Sequence, residues 1–370
     1  MAESTNTSVY VAVSGGVDSS VSAALLDEAG YDVTGVFMRV WEPPFLNCNW
    51  KRERHDAMRV CAKLDIDFEE FDLSKEYKES VVDYMIREYK AGRTPNPDVM
   101  CNKRIKFGAF YNKAMQDGAD MVATGHYAQI IRHDENTSTE SCMLKRGVDA
   151  QKDQTYFLWT LSQDHLRHTL FPVGQYEKSR VRNMAKDRDL FTHKKDDSQG
   201  LCFLGHVDMQ AFLSEYVDTE PGSICNTDGD IVGTHDGALF YTIGQRRGFD
   251  VTDKTPESGP WYVIDKNIQE NTITVSEDKS TDGPLYNAAR VSLENTNWIG
   301  QTPEEDTRYQ AQIRYNQTPQ PCSIIHKENG AEVTFEENQR AVAEGQSCVI
   351  YNEDICLGGG VIESTKDSTQ

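Results

Sequence analysis

The chain has 370 residues, 38% of them hydrophobic and 26% charged, with a formal net charge of −21 at pH 7. That length exceeds one ordinary core and calls for two or three domains, while no run approaches the ~20 apolar residues needed to cross a bilayer. The first six residues, Met1 to Asn6, carry neither the basic and apolar regions of a signal peptide nor an Arg-rich transit helix, so a cytoplasmic protein without a membrane partner is expected.

In chain order, the apolar run Val9 to Val13 leads into Ser14-Gly15-Gly16-Val17-Asp18-Ser19-Ser20. Val17, Val21, Ala24 and Leu25 then recur at helical spacing, with Gly30 to close the helix. This reads as strand, glycine turn and helix start, a setting in which backbone N–H groups meet an anion. Ser14, Ser19 and Ser20 add hydroxyls. No Gly-Lys-Ser/Thr ending follows, so the loop has no Walker lysine of its own. Asp32 to Met38 reads as extended, Arg54 to Leu64 as helix, Ile66 to Leu73 as extended, and Tyr77 to Tyr89 as helix. Phe107 to Met115 is a further helix, and Ala119 to Thr124 a buried-type strand. Such alternation predicts a parallel sheet with helices on both faces and ligands beyond the carboxyl ends of its strands, where Ser14 and Gly125 fall.

Beyond Gly205 the texture changes. A helix from about Val207 to Tyr216 gives way to short alternating segments broken by Gly, Asn-Gly, Asp-Gly and Pro. Ser280 to Pro284 reads as a boundary, and Ala331 to Phe335 and Ser347 to Tyr351 as strands of an all-β module. The polar tail after Glu363 is expected to fray. The division is 1–205, 206–284 and 285–364, with 365–370 as tail.

Nine cysteines without a Cys-x-x-Cys pair argue against a zinc ribbon or a secreted disulfide framework. Two stand apart by context. Cys101 lies in Gly92-Arg93-Thr94-Pro95-Asn96-Pro97-Asp98-Val99-Met100-Cys101-Asn102-Lys103, read as a shaped loop, with Lys103 and Arg104 expected to favour its thiolate. Cys202 lies in Asp197-Ser198-Gln199-Gly200-Leu201-Cys202-Phe203-Leu204-Gly205. Taken alone, a lone cysteine is more often a buried inert thiol. The acidity argues against a polyanion ligand, but two basic islands offset it. Residues 87 to 106 hold six Lys or Arg, and residues 178 to 195 hold seven.

The glycine loop resembles the pyrophosphate loop of the ATP pyrophosphatase superfamily. With Pro-Asn-Pro-Asp-x-x-Cys-Asn, Ala-Thr-Gly-His-Tyr and Gly-Leu-Cys-Phe-Leu-Gly added, the chain from about Val9 to Ile362 resembles the tRNA-specific 2-thiouridylase family. Glu344-Gly345-Gln346 departs from a common Pro-Gly-Gln, and Gln199 replaces other polar residues. The resemblance implies an α/β chain: an N-terminal doubly wound parallel sheet (adenine nucleotide α-hydrolase-like), a small central β-rich domain and a C-terminal β-barrel.

It further implies a tRNA-uridine 2-sulfurtransferase that adenylates O2 of wobble uridine 34 with ATP and Mg²⁺, then inserts persulfide sulfur. Cys202 would carry the persulfide, Cys101 would resolve it through a transient disulfide, and Asp98 would act as general acid/base. Ala12, Val13, Ser14, Gly15, Gly16, Val17, Asp18, Ser19, Met38 and Gly125 would bind ATP. Asn96, Pro97, Asp98, His126, Lys152, Asp153, Gln154, Arg314, Tyr315 and Gln346 would contact the tRNA anticodon loop, with Tyr315 able to stack on an unpaired base. A cysteine desulfurase or sulfur-relay protein would supply the sulfur. The chemistry agrees: uracil C2 is urea-like, and only adenylation gives its oxygen a good leaving group. The rival readings are another adenylating enzyme, whether a different tRNA thiolase or an amide-forming ligase, and a non-catalytic tRNA-binding protein.

Overall fold

Alternate residues of the first strand serve two different cores. In β1 (Ser8–Ala12), Val9 and Val11 pack with Ala23, Leu26, Ala57 and Val60 on one face, while Tyr10 and Ala12 pack with Tyr77, Met85, Ile105 and Phe110 on the other. The period-2 alternation of a strand produces this division. The computed structural model of the chain describes residues 7–45, 50–132, 141–197, 200, 202–203, 208–252, 259–286 and 288–366. The expected helix start at Val207, the border at 205, Gln199 and residues 367–370 of the tail lie outside them.

Following β1 come α1 (Val17–Glu28), β2 (Asp32–Arg39), α2 (Trp50–Leu64) and β3 (Asp67–Asp72). The helix expected over Tyr77 to Tyr89 is three pieces: α3 (Ser74–Tyr77), a π-helical turn over Lys78–Val82, and α4 (Asp83–Lys90). Next are α5 (Pro97–Cys101), a π-helical stretch over Asn102–Phe110, α6 (Tyr111–Gln116) and β4 (Met121–Ala123). The strands form a parallel sheet in the order β3-β2-β1-β4 and then Thr169–Leu170.

The path after β4 departs from the sequence reading. A hairpin of β5 (Ala128–Arg132) and β6 (Cys142–Arg146) leaves the parallel sheet and joins the C-terminal sheet, Ile355 pairing with Lys145. Two helices follow in the N-terminal part, α7 (Gln163–Arg167) and α8 (Lys178–Asp187). A short α9 (Met209–Ser214) precedes a five-stranded central sheet spanning Gly222 to Ser276, with a core of Ile224, Val263, Ile273 and Val275.

Six strands from Ala288 to Lys366 then close on themselves, the first (Ala288–Trp298) pairing with the last (Ile355–Lys366). Their inward residues, including Val291, Ile324, Val333 and Ile350, fill the barrel. The last strand runs past the expected end: Thr365 still pairs with Val291, so backbone hydrogen bonding holds a polar segment that composition marked as frayed. No described helix is long and apolar enough to cross a membrane.

The three parts meet at Thr94. Its N–H donates to Glu344 O at 2.8 Å, and its hydroxyl lies 3.1 Å from that of Thr242 in the central part. The Gln346 amide donates to the carbonyls of Thr94 (2.8 Å) and Pro95 (3.1 Å). Arg93 also pairs with Glu294 of the barrel.

Candidate active site

The glycine loop joins β1 to α1 as the sequence suggested. Gly15 has φ +72°, and a Cβ there would sit 2.8 Å from Asp56 Cβ and 2.9 Å from Glu53 O, so only glycine fits. No side chain caps α1, which leaves its first-turn N–H groups without intrahelical partners. The hydroxyls of Ser14 and Ser19 face each other at 3.3 Å. Ser20 corrects the sequence reading: its hydroxyl turns inward and donates to Gly16 O at 2.6 Å. Gly125 follows β4 and presses on the same helix start, where a Cβ would meet Ser19 N at 2.8 Å.

Lysines reach this loop from elsewhere in the chain. Lys178 Nζ donates to both oxygens of Asp18, at 2.7 and 2.8 Å, and Lys195 Nζ donates to Gly15 O at 3.1 Å. Asp18 also accepts from Tyr127 OH at 2.7 Å. Lys178 extends to Asp197, which pairs with Lys152 (2.7 Å) and Arg182 (2.6 Å) too. Burial opposes ionisation of Asp197, but the hydrogen bonds from Lys152 and Lys178 prevail and bring its pKa to about 2.

The segment expected to be a loop around Cys101 is half helix. Pro97 sits at the first helical position, where a missing N–H costs nothing, and Asn96 Oδ1 caps the helix by accepting from Val99 N at 3.2 Å. Cys101 ends this turn and is fully buried.

Cys202, 101 positions on, comes to it. The Cys101 thiol donates to Cys202 Sγ at 3.1 Å, and both are free thiols. Cys202 is half-buried and Cys101 lies beneath it. Tyr77 OH donates to the Cys202 carbonyl at 2.7 Å, and Cys202 N donates to Asp98 Oδ1 at 2.9 Å. Cys101 shares a packed cluster with Ala12 and Met38 at the strand ends, and Cys202 packs against that cluster.

The cation at the pair is not the one its sequence neighbours suggested. Lys103 and Arg104 line a cavity of ≈ 520 Å³ with Trp159 and Glu294, and neither thiol lines it. Lys106 instead acts on Cys202 through its charge, and its Nζ lies 3.2 Å from His126 Nε2. The two thiols differ in acidity. The hydrogen bond from Cys101 and then the Lys106 ammonium lower the Cys202 pKa against burial. Burial, then Cys202, push Cys101 well up. Asp98 is raised by burial, against the pull of the Cys202 N–H and Lys106.

His126 is buried, and burial, with Lys106 beside it, holds it neutral, its Nδ1 2.7 Å from Thr124 Oγ1. Asp153 is also buried, held by Arg146 (3.0 Å), Gly147 N (3.0 Å) and the Thr155 hydroxyl. Gln154 Oε1 accepts from Tyr127 N at 3.0 Å. Tyr315 packs on Phe157 with ring centroids 4.4 Å apart, beside Tyr156, whose hydroxyl donates to Ser347 O at 2.9 Å. Arg314 donates to the carbonyls of Ile243 (3.0 Å) and Ala341 (2.6 Å). Sequence reasoning missed Tyr77, Lys106, Lys178 and Lys195. Lys178 and Lys195 lie in the second basic island and Lys106 ends the first, while Tyr77 had no local signal.

A parallel sheet with a glycine turn at a helix start and two facing free thiols defines a dithiol class of α/β protein. Residues 7–206 match the tRNA methyl transferase HUP domain, 210–277 the tRNA methyl transferase PRC-barrel domain, and 289–362 the aminomethyltransferase beta-barrel domain. The chain is 42% identical over 365 residues to the tRNA-specific 2-thiouridylase MnmA of Hydrogenovibrio crunogenus, covering 97% of this chain and 95% of that protein. Identity to the protein of the same name from Pseudoalteromonas translucida is 44%, over 98% and 99%. For that of Francisella philomiragia it is 43%, over 96% and 99%. The chain belongs to the tRNA-specific 2-thiouridylase family.

Proposed function

We propose that this chain is a tRNA-uridine 2-sulfurtransferase acting in the cytoplasm on wobble uridine 34. ATP transfers AMP to O2 of the uracil, releasing pyrophosphate and the N3 proton, for which Asp98 is the base. Cys202 thiolate takes the outer sulfur of a donor persulfide, R–S–SH, giving Cys202–S–SH and R–S⁻. The donor is a cysteine desulfurase or a relay protein. The persulfide sulfur adds to C2 and AMP leaves. Cys101 thiolate then attacks Cys202 Sγ, which frees the thiocarbonyl, returns a proton to N3 and leaves a Cys101–Cys202 disulfide. A cellular thiol reduces that bond, as a reducing compartment allows.

The observation that carries this reading is the 3.1 Å approach of two sulfurs 101 positions apart, one half-buried and one beneath it. An amide-forming ligase has no use for such a pair. Ala12 to Ser19, Met38 and Gly125 are assigned to ATP. Among the described residues no three His, Cys, Asp or Glu side chains gather as a metal site. Mg²⁺ is held mainly by substrate phosphates and water with at most one or two carboxylates, and it is assigned here to the nucleotide phosphates. Asn96, Pro97 and Asp98 are assigned to the target base, and His126, Lys152, Asp153, Gln154, Arg314, Tyr315 and Gln346 to the tRNA around it.

Purified protein mixed with unmodified tRNA, ATP and a persulfide donor, followed by nucleoside analysis, tests the proposal. Wild type is expected to form 2-thiouridine and Cys202→Ser none. Absence of 2-thiouridine from wild type would sink the function. Its formation by Cys202→Ser when the persulfide is limiting would sink the role given to Cys202.

A further inference from the structure

We propose that Lys106, brought to the face of Cys101 by the π-helical stretch and lying 3.2 Å from His126 Nε2, is the cation that keeps the sulfur-accepting thiol Cys202 anionic. The inference rests on the reading of Cys202 as the sulfur acceptor.

The backbone explains how Lys106 reaches the pair. In an α-helix, five residues advance about 500°, which would turn Lys106 roughly 140° away from Cys101. Here Asn102–Phe110 is π-helical. Its i→i+5 hydrogen bonds bring residues five apart nearer to one face. Lys106 thus comes under the thiols, while Lys103 and Arg104 turn to the separate cavity.

The surroundings keep the lysine charged and directed. Burial works against its ammonium, but Cys202, Cys101 and Asp98 outweigh it and raise its pKa. His126 is neutral. With Nδ1–H donating to Thr124 Oγ1, its Nε2 is left to accept from Lys106. One ammonium proton is therefore directed at His126. Cys101 and Lys106 lower the pKa of the Cys202 thiol, against burial and Asp98.

In the acceptance step the sulfur anion of Cys202 attacks the outer sulfur of R–S–SH. One S–S bond forms, one breaks, and R–S⁻ leaves. A neutral thiol would have to lose its proton first. Lys106 removes that requirement near neutral pH, where the thiolate is the reactive species.

The test measures iodoacetamide alkylation of the Cys202 peptide against pH, by mass spectrometry, in protein carrying Cys101→Ser so that one thiol of the pair titrates. With Lys106 present, the midpoint is expected below the ordinary thiol value of about 8.5. Lys106→Gln should raise it by about one unit and slow alkylation at pH 7 about tenfold, with Lys106→Arg restoring most of the loss. Superimposable profiles for Lys106 and Gln proteins of equal melting temperature would overturn the proposal. If the Gln variant does not fold, the Lys106 protein alone decides: an ordinary midpoint overturns the proposal and a depressed one, lost again in Lys106→Met, supports it. This readout needs neither ATP nor tRNA. Persistence of thiolation in Cys202→Ser would therefore sink the sulfur-acceptor reading separately, without moving this result.

Discussion

Asp98 Oδ1 accepts the backbone N–H of Cys202 at 2.9 Å, so the carboxylate proposed to work on the uracil also fixes where the sulfur carrier sits. Asp98→Asn keeps an oxygen that can accept this N–H but removes the proton-transferring group. It should lower the thiolation rate about 100-fold or more while leaving the melting temperature near wild type. Asp98→Ala loses both functions and should also expose the Cys202 segment to limited proteolysis. Equal activity of Asp98→Asn and wild type would remove Asp98 from the chemistry.

The donated hydrogen bond from Cys101 is the foremost influence lowering Cys202. Cys101→Ser retains a donor and Cys101→Ala does not. Alkylation of Cys202 should therefore require higher pH in the Ala variant than in the Ser variant. The same midpoint in both would mean that the sulfurs do not share this hydrogen bond in solution.

Gly125→Ala places a methyl 2.8 Å from Ser19 N and 2.9 Å from the Asp18 carbonyl carbon, both backbone atoms that cannot swing aside. Overpacking of this kind costs about 1–3 kcal/mol. Chemical denaturation should register that loss, and equilibrium dialysis should show weaker ATP binding. An unchanged affinity for ATP would separate Gly125 from the nucleotide site.

Asp197 holds Lys152, Lys178 and Arg182, and its carboxyl ionises at about 2 in the fold. A depressed carboxylate stabilises the fold above its unfolded value near 4 and loses that contribution as pH falls toward 2. Asp197→Asn should therefore cost about 1 kcal/mol at pH 7, because solvent screens this partly exposed cluster. The gap to wild type should narrow below pH 4 in urea unfolding. A gap of constant size from pH 7 to pH 3 would contradict the ion-pair account.

What could be read from the sequence was what is local. Strand, glycine turn and helix start at Val9 to Ser20 depend on spacing within one short window, and the structure has them there. Cys101 and Cys202 stood apart by their loop-like context and basic neighbours, and their roles came from flanking motifs that match a family. Nothing in either segment encodes that Asp98 or Tyr77 would hold Cys202. Lys106 was hidden for a different reason. Helical reasoning assumes 3.6 residues per turn, and a π-helical stretch breaks that count. The nearest charges in sequence, Lys103 and Arg104, were therefore credited with the effect. The β5–β6 hairpin was missed because a strand's partner is set by tertiary pairing, here with a strand more than 200 positions later.

That hairpin has a consequence for how the enzyme can be handled and how it works. Ala128, where β5 begins, is two residues past His126, and β6 is stitched to the barrel through Cys356 and Ile355. Cutting away the barrel would not free a smaller nucleotide-binding unit; it would strand a bare ladder edge and tear open the Val99–Leu144–Tyr351 core. Conversely, any load placed on the barrel pulls directly on the short tether that carries His126, and through it on the ammonium beneath the sulfurs.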